Sequence, residues 1–310
     1  MTTQIHAIQV HNYGDADQLR LEQIAQPEPK EGEVLVRVHA AGVNPIDWKI
    51  RSGAAKDFIK MSFPYVPGAD FAGTIEKVGT GVTAFQVGQE VFGRGSQGTY
   101  AQYTIAPVNS IALKPKSLSF EEAATIPIGA TTAWQGLFDH GNLQKGQRVL
   151  ILSGSGGVGI FAVQFARWKG AQVISTTSTR NVDFVRSLGA EMVIDYTKTH
   201  VEEEVHDVDL VFDTIGGEAL ATAWPTLKRG GTLITIAGQP DEAKASQLDV
   251  RTGRFSAQIS SELLTRFAQL IDEGQVKVVV GDTFPLGEAA QAQELSQKGH
   301  GRGRIVLHVA

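Results

Sequence analysis

The sequence predicts an α/β chain of two domains, a β-rich N-terminal domain and a doubly wound domain built on a parallel sheet. Three observations carry this. Up to about residue 120, short apolar stretches are punctuated by Gly and Pro, the grammar of an antiparallel barrel or roll. From Val149 onward, strand-like and helix-like stretches alternate, as in a parallel sheet covered on both faces. Where the second grammar begins, Arg148-Val-Leu-Ile-Leu-Ser-Gly-Ser-Gly-Gly-Val-Gly159 joins an unbroken apolar run to glycines in G-x-G-x-x-G spacing.

In chain order, Ile5 to Val10 alternates loosely, and Leu19-Arg-Leu21 opens a strand that Pro27 and Pro29 end. Glu33 to His39 is a clear strand. Asn44-Pro45 is turn chemistry and leads into a short helix. Asp70 to Gly79 is a strand broken by Gly73, and Val87 to Gly93 is a turn followed by a strand. Gly98 to Ile105 alternates at period two. Ser119-Phe-Glu-Glu122 reads as a capping box, and the helical stretch behind it, to Leu137, contains Pro127 and is therefore split or kinked.

Val149 to Leu152 is uniformly apolar, as a strand buried on both faces should be. Val158, Phe161, Ala162, Phe165 and Trp168 then recur at helical spacing, and Gln172 to Thr176 completes a βαβ unit. The next helix stops at Leu188-Gly189. Strands follow at 192–194, 210–213 and 231–236, whereas 239–257 carries little pattern. Ser261 to Glu273 is an amphipathic helix, 276–280 a strand, Gly287 to Lys298 a helix and Arg304 to Val309 a last strand. The tail is expected to return to the first domain, which would tie both chain ends down.

The glycine turn points to a dinucleotide. Glycines allow the tight turn and the close approach of a pyrophosphate, and the helix behind supplies N–H groups and a positive dipole end. Gly154, Ser155, Gly156, Gly157, Val158 and Gly159 are the candidate phosphate-binding residues. A site for NADH usually has an acid at the end of the second strand, about 20 residues on. This chain reads Ile174-Ser-Thr-Thr-Ser-Thr-Arg-Asn181, with no carboxylate. Ser178, Thr179 and Arg180 therefore predict NADPH, because hydroxyls and a guanidinium suit a 2′-phosphate. The other reading of these three is a polar helix cap with a solvated Arg.

Composition excludes several classes. The chain has 310 residues, 42% of them hydrophobic, enough to bury two ordinary cores. A net charge of -5 argues against a nucleic-acid surface. The acidic run Glu202 to Glu204 reads as a solvated loop or helix face. There is no cysteine, so disulfides and Cys-ligated zinc are excluded, and the eight histidines show no metal-binding pairing. Met1 to His6 lacks the features of a signal peptide, and no apolar run approaches ~18 residues, so no membrane span and a cytoplasmic location are expected.

Taken together, Ala41 to Lys49, Val66 to Gly73, Gly129-Ala-Thr-Thr-Ala-Trp134, Gly154 to Gly159, Leu188-Gly-Ala190 and Gly303 to Leu307 carry a resemblance. The chain resembles the zinc-independent quinone oxidoreductase-like branch of the medium-chain dehydrogenase/reductase superfamily, from about Ile5 to Leu307. The resemblance implies a GroES-like β-barrel domain plus a doubly wound Rossmann domain. On that basis residues 1–120, rejoined by 260–310, form the catalytic domain, and 121–259 bind NADPH. It also implies a homodimer. Zinc-dependent relatives carry Cys at the position of Asn44, Gly-His-Glu at Gly68-Ala69-Asp70, and a four-Cys lobe. All are missing, so no metal is expected.

Without a Lewis acid, the acceptors within reach are conjugated ones, whose incoming charge spreads into an enolate or phenolate. The resemblance accordingly implies NADPH-dependent hydride transfer to a quinone, or to the C=C bond of an α,β-unsaturated carbonyl. Lys49, Asn44 and Asp47 are its candidate catalytic residues. Lys49 either donates to the developing oxyanion, holds the nicotinamide end, or is a solvated helix lysine. Asn44 either faces the nicotinamide or substrate or makes an Asx turn before Pro45. Asp47 either lines the site or caps the short helix. Thr131 is expected beside the nicotinamide, and Tyr196 near the adenosine or as a surface tyrosine. Ile215, Ala237 and Gly238 follow strand ends that line the crevice of this fold. The competing function is a non-catalytic NADPH-binding sensor or structural protein.

Overall fold

The computed structural model describes residues 3–299 and 301–309. Met1, Thr2, His300 and Ala310 lie outside the described residues. The strands are, in chain order, β1 (Gln4–Gln9), β2 (Arg20–Ala25), β3 (Glu33–Val43), β4 (Asp70–Val78), β5 (Glu90–Arg94), β6 (Tyr103–Pro107), β7 (Ile111–Leu113), β8 (Arg148–Ile151), β9 (Gln172–Thr177), β10 (Met192–Asp195), β11 (Val208–Asp213), β12 (Leu227–Thr235), β13 (Arg251–Arg254), β14 (Val280–Pro285) and β15 (Arg304–His308). They fall in two compact units. One comprises Met1–Pro127, Ile259–Glu273 and Val278–Ala310; the other comprises Ile128–Gln258 and Gly274–Lys277.

The first unit is organised on β3. Its run of apolar residues buries Val34, Leu35 and Val36 in succession. Along one edge, β3 pairs antiparallel with β6 through Glu33–Arg37 and then with β15 through Ala40–Val43. β4 takes the other edge, and the sheet runs β14-β15-β3-β4-β5-β7. The C-terminal strand therefore does return to the N-terminal unit. Gly73 sits where β4 crosses β3: a Cβ there would lie 2.1 Å from the Arg37 carbonyl oxygen. Val36, Val38, Phe71, Ile75, Val91 and Leu307 fill the core.

The second unit is a six-stranded sheet in the order β10-β9-β8-β11-β12-β13, every pair parallel. Numbered within the unit this is 3-2-1-4-5-6, the Rossmann order, with its switch point between the first and fourth strands. β8 is buried on both faces, as its unbroken apolar run requires. The helix Gly159–Lys169 follows it and ends at Gly170 in the left-handed region. The helix Val182–Leu188 stops in the same way at Gly189.

Several expectations need amending. The stretch after Ser119 is indeed split: a capped helix Phe120–Ala124, a second helix from Pro127 to Trp134, and a π-helical turn over Gln135–His140. Residues 239–257 are not patternless. Asp241 caps a helix Glu242–Leu248, and β13 follows as an outer strand without an apolar signature. The strand expected at 276–280 begins only at Val280. Before it, the Gln164 side chain accepts from Lys277 N–H at 2.7 Å and donates to its carbonyl at 2.9 Å. A side chain thus satisfies backbone groups that a ladder would otherwise take. Trp168, read with the buried helix face, is 41% exposed.

Candidate functional site

In the second unit, the candidate residues gather at the carboxyl ends of the parallel strands. The turn after β8 departs from regular backbone at Ser153, whose φ is +69°. The motif glycines then divide the work. A Cβ on Gly159 would lie 1.9 Å from the Ser153 carbonyl oxygen, and one on Gly154 would lie 2.4 Å from Ser175 Oγ. These two are required by the fold. A Cβ on Gly156 would meet only Ser153 atoms, at 3.1 and 3.6 Å. Gly156 therefore has more room than the other two, and it lies just ahead of the helix that begins at Gly159, an end that suits an anion. Ser155 is buried, and its Oγ accepts from Thr177 Oγ1 at 3.1 Å and from Asn181 Nδ2 at 3.2 Å. With both bonds accepted, its own hydroxyl hydrogen can be donated to a phosphate oxygen. The turn fits a dinucleotide.

Beyond β9 the picture is more specific than the sequence reading. Thr179 Oγ1 donates to Asp195 Oδ2 at 2.6 Å, and Thr197 Oγ1 donates to Asp195 Oδ1 at 2.6 Å. Bonds from the Thr179 and Thr197 hydroxyls hold the Asp195 carboxyl down at about 2. Ser178 is half-buried, Arg180 exposed and Tyr196 47% exposed. The Thr179 hydroxyl is thus committed to a carboxylate contributed by the neighbouring strand.

Two further strand ends are held by Asp213, which is fully buried. Its Oδ1 accepts from Ile215 N–H and Gly216 N–H, both at 2.9 Å, and its Oδ2 accepts from Thr235 Oγ1 at 2.6 Å. Thr235 Oγ1 in turn accepts from the N–H groups of Ala237 and Gly238, each at 3.2 Å. One carboxylate therefore sets the loops carrying Ile215, Ala237 and Gly238. Thr131 lies in the helix Pro127–Trp134, fully buried, with its Oγ1 lacking a hydrogen-bond partner in the structure.

In the first unit, Asn44 and Asp47 come together at the start of the helix Pro45–Arg51. Asp47 Oδ2 accepts the Asn44 N–H at 2.8 Å and the Tyr100 hydroxyl at 2.9 Å. Asn44 Nδ2 donates to Asp70 Oδ2 at 3.1 Å, which fixes the amide with its buried Oδ1 unpartnered. Burial pushes the Asp47 carboxyl up to about 6, against the bonds from Asn44 and Tyr100 and the charge of Arg304. Arg304 is itself buried, and its Nε and Nη2 have no hydrogen-bond partner. Burial lowers its pKa, opposed by the charges of Asp70 and Asp47. Tyr100 is fully buried, and burial raises its hydroxyl well above the usual range.

Lys49 is half-buried, and its ammonium lies over the Trp48 ring, 5.5 Å from the centroid. Trp48 Nε1 is buried without a partner. Among the described residues no group of three or more His, Cys, Asp or Glu is placed to hold a metal ion.

Sequence reasoning missed Tyr100, Gln293, Asp195 and Thr235 as organising residues, and took Asp70, Arg304 and Asp213 only as parts of motifs or strands. The available signal was a polar residue at a strand end among apolar ones: Asp70 opens β4, Asp213 closes β11 and Thr235 closes β12.

Comparison with known proteins agrees with this organisation. Residues 30–116 match the alcohol dehydrogenase GroES-like domain, and residues 188–307 match the zinc-binding dehydrogenase family. The chain is 35% identical to the NADPH-dependent alkenal/one oxidoreductase, chloroplastic, of Arabidopsis thaliana, over 96% of this chain and 78% of that protein. It is 34% identical to the 2-methylene-furan-3-one reductase of Solanum lycopersicum, over 96% of this chain and 77% of that protein. The solved quinone oxidoreductase of Coxiella burnetii superposes with a TM-score of 0.91 at 32% identity, covering 99% of this chain and 100% of its own. By sequence and by fold, the chain belongs to the quinone oxidoreductase-like branch of the medium-chain dehydrogenase/reductase superfamily.

Proposed function

We propose that this protein is an NADPH-dependent, metal-independent reductase that reduces a quinone or the C=C bond of an α,β-unsaturated carbonyl. The observation that carries the reading is the glycine turn: two glycines the fold demands enclose one, Gly156, at which a Cβ would meet nothing closer than Ser153 Oγ at 3.1 Å, and this supports its use by a ligand. Relatives named for reduction of alkenals, enones and quinones support the substrate class. A mycobacterial structure neighbour at 29% identity and TM-score 0.89, covering 98% of this chain and 99% of its own, was solved with NADPH.

NADPH, when bound, supplies the hydride. The chain supplies the rest. Residues 121–259 serve as the nucleotide-binding domain, where Gly154 to Gly159 hold the pyrophosphate and Ser155 donates to it. Ser178, Thr179, Arg180 and Tyr196 serve the adenosine end; Thr131, Ile215, Ala237 and Gly238 serve the nicotinamide end. Residues 1–120 with 260–310 serve as the catalytic domain. There the Lys49 ammonium stabilises the oxyanion that conjugate addition creates, a task that needs donors aimed at developing charge. Asn44, turned by Asp70, offers its free Oδ1 to a donor on nicotinamide or substrate. Asp47 keeps Asn44 in place. Solvent delivers the proton to the second carbon.

The donor set supports metal independence: Asn44 and Asp70 are bonded to each other, and the chain has no cysteine to supply the thiolate that zinc-dependent relatives carry at the position of Asn44. The same reading takes the protein as a cytoplasmic homodimer acting on a small molecule, which light scattering and cell fractionation test. No helix among the described residues is long and apolar enough to cross a membrane.

The deciding experiment is anaerobic NADPH oxidation with EDTA present, using a small quinone and an alkenal in parallel, with NADH as control. Turnover, with a saturated carbonyl product from the alkenal, supports ene-reduction; turnover of the quinone alone assigns quinone reduction. Tight NADPH binding without turnover across a wider panel would replace the reductase with a non-catalytic nucleotide-binding protein.

A further inference from the structure

The end of β9 carries no acid, yet the adjacent strand does. β10 pairs in parallel with β9, and its last residue, Asp195, stands in register opposite Thr177. From there its carboxylate reaches the segment that follows β9 and accepts the Thr179 hydroxyl at 2.6 Å. It also accepts the Thr197 hydroxyl at 2.6 Å and the Thr197 N–H at 3.1 Å, and Lys198 Nζ approaches it to 3.4 Å. These bonds fix the carboxylate where it stands and keep it ionised. The Lys198 ammonium pairs with it instead of standing alone.

In this fold the ribose of the adenosine lies past the end of the second strand, here β9. A dianionic 2′-phosphate there meets a fixed negative charge, a partly neutralised Lys198, and a threonine whose hydrogen is already donated. A 2′-hydroxyl meets none of these penalties. We infer that Asp195 is a specificity-determining residue, whose carboxylate narrows the preference of this unit for a 2′-phosphorylated nucleotide over its 2′-hydroxyl counterpart. The inference rests on the proposed NADPH reading and adds a restraint that the bare segment 174–181 does not contain.

The test is binding, not turnover. Dissociation constants for NADPH, NADH, 2′,5′-ADP and 5′-AMP are measured by calorimetry on the full-length wild-type protein, Asp195→Asn and Lys198→Gln. Asp195→Asn keeps an acceptor for a threonine hydroxyl and removes the charge. The ratio Kd(NADH)/Kd(NADPH) is expected to rise about tenfold in this variant, the size of one charge acting near the protein surface. The 5′-AMP to 2′,5′-ADP ratio should rise with it, and both increases should shrink in high salt. Lys198→Gln, at an exposed position, removes the opposing charge and should lower both ratios. A purely structural Asp195 would weaken all four ligands alike and leave the ratios unchanged, which would overturn the inference. So would a fall in the ratios in Asp195→Asn, which would make Asp195 the organiser of a phosphate site. Wild-type protein that binds none of the four would overturn both this inference and the nucleotide reading, whereas good binding with constant ratios overturns the inference alone.

Discussion

Arg51 Nε donates to Gln293 Oε1 at 2.7 Å, although 242 positions separate the two residues in the chain. Both side chains are buried, and Arg51 Nη1 also donates to the Gly14 carbonyl at 2.6 Å. The end of the helix beside Asn44 and Asp47 is therefore pinned to the helix Ala289–Lys298. Gln293→Leu leaves the guanidinium without that acceptor and is expected to lower unfolding stability by about 2–3 kcal/mol. Urea unfolding at an unchanged m-value is the check; a loss within about 0.5 kcal/mol would mean the bond contributes little.

Asp47 makes stability depend on pH in an uncommon direction. Its folded value of about 6 exceeds the ordinary 3.8, so the folded protein binds the proton more tightly than the unfolded chain. The contribution is complete below pH 4 and is lost as pH rises through about 6. The gap corresponds to about 3 kcal/mol. Asp47→Asn mimics the protonated form and should flatten this slope. The difference in unfolding midpoint between wild type and variant, followed from pH 4 to 7.5, should therefore shift in favour of the variant as pH rises. A constant difference would refute the assignment.

Gly156 and Gly159 should separate binding from folding. Gly159→Ala places a Cβ 1.9 Å from a backbone oxygen and should cost about 3 kcal/mol of stability or more. Gly156→Ala meets only Ser153 at 3.1 Å or beyond, and should shift the unfolding midpoint by less than about 2 °C. On the proposed reading its methyl would stand where the pyrophosphate approaches, so NADPH affinity should fall at least about tenfold. Differential scanning fluorimetry beside nucleotide titration reads both. Equal behaviour of the two variants would contradict the division of roles.

Thr235 tests whether strand-end geometry matters at a distance from the phosphates. Thr235→Val removes one donor to Asp213 and the acceptor of two N–H groups in the loop to Gly238. Leaving the buried Asp213 oxygen and these half-buried N–H groups unmatched should cost about 1–3 kcal/mol and raise the NADPH dissociation constant severalfold. Unaltered binding would show that the loop holds its shape without them.

The sequence was most informative where the structure is local. The strand and glycines from Arg148 to Gly159, the Ser119–Glu122 box and the stop at Gly189 each rest on neighbours a few residues apart. What escaped is long-range. Nothing near Tyr100 announces that its hydroxyl meets Asp47, 53 positions away, or that Asp195 closes on Thr179 from the next strand. β13 reads Arg-Thr-Gly-Arg and was illegible because an outer strand needs backbone partners more than apolar side chains. The valines at 276–280 read as a strand because apolar, β-branched residues also suit a half-buried connection, here one where a glutamine side chain bonds the Lys277 backbone groups.

The position of β15 between β14 and β3 has a bearing on synthesis. The second unit, complete at Lys277, can close its six-stranded sheet while the ribosome is still translating. The amino-terminal half cannot. β3 leaves the exit tunnel early, yet its Ala40–Val43 edge has no partner until Ile305 to His308 are made. For most of translation that edge is an open template for unwanted strand pairing. A nascent chain stalled before Arg304 should therefore engage chaperones through the Ala40–Val43 edge of β3, and release them once β15 docks.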